Sequence, residues 1–196
     1  MKQLSKVILA GFVLTLLFSF TGFAANCNDV ENKVVRLHVL ANSNSEIDQN
    51  IKLKVKDDVF KLASKLTANV DSTEEAEKVL QSNIKEIENT ANKKLAELNS
   101  GYTAVAEVTN SFFNTRDYDT FSLPAGNYKS LRVTIGEGKG KNWWCAVYPG
   151  LCLSSSSDFG ELTNEEKDIL TNKEQYKVSF KVYEIYQELM DLFRDR

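Results

Sequence analysis

The chain has 196 residues, 42% of them hydrophobic and 26% charged, with 24 basic against 27 acidic side chains and a net charge of −3 at pH 7. An acidic balance repels phosphate backbones and anionic lipid head groups, so a nucleic-acid partner is excluded on charge. The length suits one domain with its own core after a short leader, because two domains would each be small.

Lys2 and Lys6 precede an uncharged, mostly apolar run from Val7 to Phe20, which closes on Thr21-Gly22-Phe23-Ala24-Ala25. This is the order of a secretory signal, with small residues at Gly22 and Ala24 placing cleavage after Ala24 and a signal peptide over 1–24. The uncharged stretch counted out to Ala25 reaches the lower end of a bilayer span, so a residual N-terminal membrane anchor is the competing reading. Residues 25–33 read as a polar leader without periodicity, and 34–196 as a single α+β domain. Export permits disulfides, and Cys145 and Cys152, seven residues apart, are the natural pair. Cys27 is left over, free or intermolecular.

Val35, Leu37 and Val39 fall on one face of a strand, with Arg36 and His38 on the other. Ser43-x-x-Glu46 and Ser45-x-x-Asp48 both have the form of a capping box, and a helix follows from Glu46 with Ile51, Val55, Val59, Leu62 and Leu66 along one side. Asp48 and Lys52, four apart on that helix, are placed to pair. Ser72 caps a second long helix whose apolar stripe runs from Ala76 to Leu98 and ends at Asn99-Ser100-Gly101.

Tyr102–Thr109 and Ser111–Thr115 read as two strands, and 116–124 as irregular. Tyr128–Ile135 alternates, runs into Gly136-Glu137-Gly138-Lys139-Gly140 and is followed by a strand from Asn142 to Tyr148, a hairpin pattern. Thr163 caps a short helix, Tyr176–Val182 is strand-like, and Glu184–Phe193 is a closing helix. The sum is an α+β fold, two long helices packed on a mixed sheet. The pattern says nothing of oligomeric state.

No convergent catalytic set emerges. The glycine-rich loop lacks the following helix and the Ser or Thr of a nucleotide site. No His pair or Cys-x-x-Cys suggests a metal, no cofactor or small-molecule substrate is implied, and the adjacent carboxylates diverge on their helices. His38 is the only histidine, so a hydrolase would have to combine it with Arg36 and Cys145. In Asn142-Trp143-Trp144-Cys145 alternation sends the indoles to opposite faces, one towards the core and the other towards a loop, a partner or, in a peptidoglycan-binding module, a glycan.

Three blocks together resemble the stage II sporulation protein R family. They are Val35-Arg36-Leu37-His38-Val39-Leu40-Ala41-Asn42-Ser43-Asn44-Ser45 with Asp48-Gln49; Leu123-Pro124-Ala125-Gly126-Asn127-Tyr128 with Leu131-Arg132-Val133; and Asn142-Trp143-Trp144-Cys145 with Tyr148-Pro149 and Leu151-Cys152. The chain departs from the family pattern at Asn44, Gly150 and Phe113–Arg116. The resemblance implies a non-enzymatic protein exported from the forespore into the intermembrane space. There it triggers a membrane-embedded aspartic protease that processes the precursor of sigma factor E. The residues it points to for partner contact are Arg36, His38, Asn42, Asp48, Trp143 and Trp144.

Overall fold

The structure is a computed structural model that describes residues 2–151 and 159–194. Its contacts gather into two compact units drawn from interleaved stretches of chain: Asn32–Phe112 with Asn127–Leu162, and Met1–Glu31 with Phe113–Gly126 and Thr163–Arg196.

The first unit carries the α+β architecture. A four-stranded sheet has the order β2 (Ala104–Phe113), β5 (Gly126–Ile135), β1 (Val35–Leu40), β6 (Asn142–Tyr148). It is mixed, since β1 runs parallel to β5 and antiparallel to β6. On one face lie α2 (Glu46–Leu66), α3 (Thr73–Ser82) and α4 (Ile84–Glu97). The stripe of Ile51, Val55, Val59 and Ala63 from α2 joins Leu80, Ile87, Ala91 and Leu95 above Leu37, Val39, Leu131, Val133 and Ile135 in one core. Each Val, Leu or Ile among them contributes about 1.5–3 kcal/mol by leaving water.

Three local expectations change here. The second long helix is broken into α3 and α4 at Asn83, whose side-chain amide doubles its own backbone N–H on the Val79 carbonyl (2.8 and 3.1 Å). Its backbone leaves helical geometry there (φ −104, ψ 14), the usual effect of a short amide side chain competing for local carbonyls. The two expected strands at 102–115 are one, β2, with Asn110 exposed inside it, because pairing with β5 overrides a poor local propensity. The expected hairpin between Tyr128–Ile135 and Asn142–Tyr148 does not form: β1 lies between β5 and β6, and the glycine-rich segment crosses its end.

β2 is an edge strand, and part of its free edge is sealed by side chains. Asn92 of α4 accepts from the Ala104 N–H (2.8 Å) and donates to the Ala104 carbonyl (2.9 Å), while Glu88 accepts from the Ala106 N–H (3.2 Å). The helix thus supplies the hydrogen bonds that a further strand would make.

The second unit holds α1 (Lys2–Asn32), a small hairpin of β3 (Arg116–Asp117) and β4 (Ser122–Leu123), α5 (Asn164–Thr171) and α6 (Lys173–Arg194). Residues 25–32, read above as a polar leader, are helical: Phe23, Cys27 and Val30 are spaced by four and three and bury one side of α1. Tyr176–Val182, read as strand-like, lies within α6 for the same reason, since Tyr176, Phe180 and Tyr183 recur at helical spacing. Phe23 stacks on Tyr176 (5.7 Å between ring centroids) and meets Phe180 and Tyr183 edge-on (5.3 and 6.2 Å), in an aromatic cluster that includes Cys27 and Ile169. Cys27 is a free, fully buried thiol, and burial pushes its pKa far up, so it is inert at neutral pH. α5 opens on a complete capping box of Thr163 and Glu166, as the sequence predicts.

Replacing Asn92 with Ala strands the N–H and C=O of buried Ala104 without partners. We expect Asn92→Ala to lower the stability of the full chain by about 2 kcal/mol in urea unfolding, with far-UV dichroism unchanged.

Candidate functional site

The sequence blocks meet at the C-terminal end of β1. There the chain turns through Ala41-Asn42-Ser43-Asn44 into α2, whose N-cap is Ser45, its hydroxyl accepting from the Asp48 N–H. The Asp48 carboxylate points back into the turn and accepts from Asn42 Nδ2 (2.9 Å) and Ser43 Oγ (2.6 Å), and Tyr102 also reaches it. These hydrogen bonds, Ser43 and Asn42 first, hold its pKa below the usual carboxylate value despite its burial. Lys52 does not pair with Asp48 as its spacing suggests. Buried one turn further on, its ammonium donates to Gln49 Oε1 (2.7 Å) and to the Lys141 carbonyl (3.0 Å), and burial lowers its pKa.

The glycine-rich loop closes over this turn. Gly136 N–H donates to the Thr103 carbonyl, Gly138 to Ile135, Lys139 to the Asn42 carbonyl and Gly140 to the Ala41 carbonyl. Glu137 N–H donates to Asn42 Oδ1 (3.0 Å) and Lys141 N–H to Asn44 Oδ1 (2.8 Å). Each amide from 136 to 141 therefore has a protein acceptor, which leaves no cradle for a phosphate. Gly136 has a positive φ of 56°, and a Cβ on Gly140 would clash with the backbone carbonyl of Ser43.

The expected contact residues thus fall into three groups. Asn42 and Asp48 belong to this turn, where Asp48 holds the Asn42 and Ser43 side chains and Asn42 in turn holds the Glu137 N–H. Trp143 stands opposite Val39 on the helix-covered face, with the Lys56 ammonium 4.6 Å from its ring centroid. Arg36, His38 and Trp144 share the other face of the sheet, because His38 is in register with both Trp144 and Arg132. Arg36 is wholly buried there, its guanidinium 5.0 Å over the Tyr128 ring.

His38 and Trp144 are half-buried, with ring centroids 5.8 Å apart. Beside them Arg132 donates to Glu107 through Nε (2.9 Å) and Nη2 (2.7 Å), and exposed Asn142 hydrogen-bonds the imidazole. Burial lowers the His38 pKa; the Asn142 bond opposes this, and the charges of Arg132 and Arg36 add to it. Arg132, Glu107 and Asn142 complete a face that the sequence analysis assembled only in part. Arg132 alternates with buried Leu131 and Val133, but only the β1–β5 pairing shows that it stands next to His38.

Cys145 is fully buried and in register with Leu37, on the face opposite to His38 and Arg36, so the triad required for a hydrolase does not converge. Cys152 lies outside the described residues. Among the described residues no group of three or more His, Cys, Asp or Glu is gathered that could hold a metal ion.

The family model described as Stage II sporulation protein R matches residues 31–158. A curated Stage II sporulation protein R from Bacillus subtilis (strain 168) is 32% identical over 146 residues, covering 74% of this chain and 65% of the relative. The chain therefore aligns to slightly less than two thirds of that relative's length. No solved structure matches the chain.

Two outcomes follow from the geometry. Gly140→Ala forces the loop off the Ser43 carbonyl and is expected to destabilise the fold by about 1–3 kcal/mol in denaturant unfolding. The folded-state pKa of His38 lies below the ordinary 6.5. Its neutral form is therefore favoured by folding, and its contribution is full above that value and lost as pH falls through it towards the lowered one. Unfolding curves between pH 7 and 5 are expected to show this loss in the wild type and a shallower slope in His38→Gln.

Proposed function

The chain belongs to the stage II sporulation protein R family, and from that premise we propose that it is a non-enzymatic sporulation signal. It is exported from the forespore into the intermembrane space, where it activates the membrane-embedded aspartic protease that processes the sigma factor E precursor. The chemistry of cleavage belongs to the protease. This protein acts as a ligand that binds the protease's active state more tightly than its resting state, since only differential affinity shifts such an equilibrium.

The observation that carries the ligand reading is the partly exposed sheet face where Trp144, His38, Arg132 and Asn142 stand together. An aromatic ring, a guanidinium and a polar rim on a rigid sheet make a binding surface of the kind that concentrates affinity in a few residues. The hydroxyl that accompanies them, Ser130, donates to the Thr109 carbonyl (3.1 Å), lies 3.2 Å from the Ser111 hydroxyl and is not poised as a nucleophile. We place the protease contact on this face. The turn of Asn42 and Asp48 then acts by fixing the end of β1, and Arg36 by filling the sheet face beneath its neighbours. A Cys145–Cys152 disulfide belongs to the same proposal.

The test is reconstitution. Full-length protein added to membranes that contain the protease and its pro-sigma substrate is expected to raise processing. Trp144→Ala and Arg132→Ala are each expected to cut that stimulation by about tenfold, with unfolding midpoints measured alongside. No stimulation by the wild-type protein would refute the signalling role. Stimulation untouched by either substitution would move the contact off this face.

A further inference from the structure

α6 is apolar on two opposite sides. One carries Tyr176, Phe180 and Tyr183, which pack around Phe23 of α1. The other carries Val178, Val182, Ile185, Leu189 and Leu192, which are 76%, 47%, 49%, 52% and 68% exposed. Their spacing of four, three, four and three is the seam of a two-helix coiled coil, continued over four intervals. Scattered exposed leucines need no explanation, but five aliphatic residues aligned along one helix leave a stripe that water does not favour.

We propose that this stripe of α6 pairs with the same stripe of a second copy of the chain, antiparallel, to form a homodimer. The flanking charges decide between occupants. One flank carries Glu174, Lys177, Lys181, Glu184 and Glu188, and the other the uncharged Ser179, Tyr186 and Phe193. In an antiparallel pair like flanks meet. With Val178 opposite Leu189 of the second copy and Val182 opposite Ile185, Lys181 faces Glu188, and the two-fold axis repeats that ion pair on the other side. A parallel pair sets Lys181 against Tyr186 and gains no ion pair. An anionic bilayer is a poor occupant, because the charged flank has more acid than base.

In the single chain Lys181 pairs with Glu184 (3.0 Å) and Glu188 accepts from Asn114 (3.3 Å). The Glu188 contact is exposed and of small worth, and Lys181 is itself exposed although Glu184 is buried, so both Lys181 and Glu188 can turn to intermolecular partners. Four apolar layers make a short interface, so the dissociation constant is expected on the order of micromolar.

Sedimentation equilibrium of the full chain in a density-matched mild detergent reads this directly. The wild type is expected to show a monomer–dimer equilibrium. Lys181→Glu alone and Glu188→Lys alone should each weaken it by about tenfold, and the double variant Lys181→Glu/Glu188→Lys should restore it, because the reversed pairs are again opposite in sign. Ile185→Asp should leave only monomer, with its near-UV spectrum checked against the wild type. A monomer at every concentration up to about 100 μM, or a double variant no better than either single one, overturns the proposal. So does a monomer whose binding to phosphatidylglycerol vesicles is lost in Ile185→Asp, since the stripe would then be a lipid surface.

Discussion

The carboxylate of Asp48 is the constraint on which the larger unit depends. Buried and ionised, it must be surrounded by donors, and the donors available are Asn42, Ser43 and Tyr102. Satisfying it fixes the path from β1 into α2 and thereby sets α2 across the sheet. The same turn presents the Ala41 and Asn42 carbonyls and the Asn42 and Asn44 side-chain oxygens to the loop at 136–141. One charge thus organises a strand end, a helix start and a distant loop. The polar residues of the turn hold structure, and the proposed partner surface is the sheet face beside them.

That division bears on function. Residues that the family resemblance marks together, Asn42 and Asp48 on one hand and His38 and Trp144 on the other, do different physical work although β1 connects them. The first pair is consumed by contacts within the turn and with the loop that closes over it. The second stands on a rigid sheet whose other face is closed by three helices, so its geometry is set in advance of any encounter. The signalling role proposed above asks for no chemistry from this chain and needs only a surface held still.

Much of this was legible in the sequence. The stripe of α2, the Ser45, Ser72 and Thr163 caps, the alternation of β1 and β5 and the opposite directions of Trp143 and Trp144 are local patterns with local causes. What escaped was non-local. Nothing near Ile135 or Asn142 says that β1 will insert between their strands, so adjacency in sequence suggested a hairpin. The i, i+4 spacing of Asp48 and Lys52 also suggests a pair, but the turn before the helix together with Tyr102 takes Asp48, and Gln49 together with the distant Lys141 carbonyl takes Lys52. The helical reading of Tyr176–Val182 was available in its four-and-three spacing and was masked by the strand propensity of Tyr, Val and Phe. The Asn83 break was hidden for another reason: a single amide side chain interrupted a stripe whose periodicity continues on both sides.

The strand order also governs the order of events in folding. β1 is the first strand of the sheet and lies at its centre, yet both its neighbours come late, and the bonds that lock its end join residues 89, 95 and 97 positions apart. A chain elongating from its N-terminus can form α2, α3 and α4 as they appear, but its first strand has no partner until β5 and then β6 have followed. Closure of such distant contacts is slow, and it cannot begin on a partial chain. The sheet is in this sense a length gauge: until Tyr148 has emerged the polypeptide remains open, and a chain cut short before that residue never acquires the surface on which its signalling role is proposed to rest.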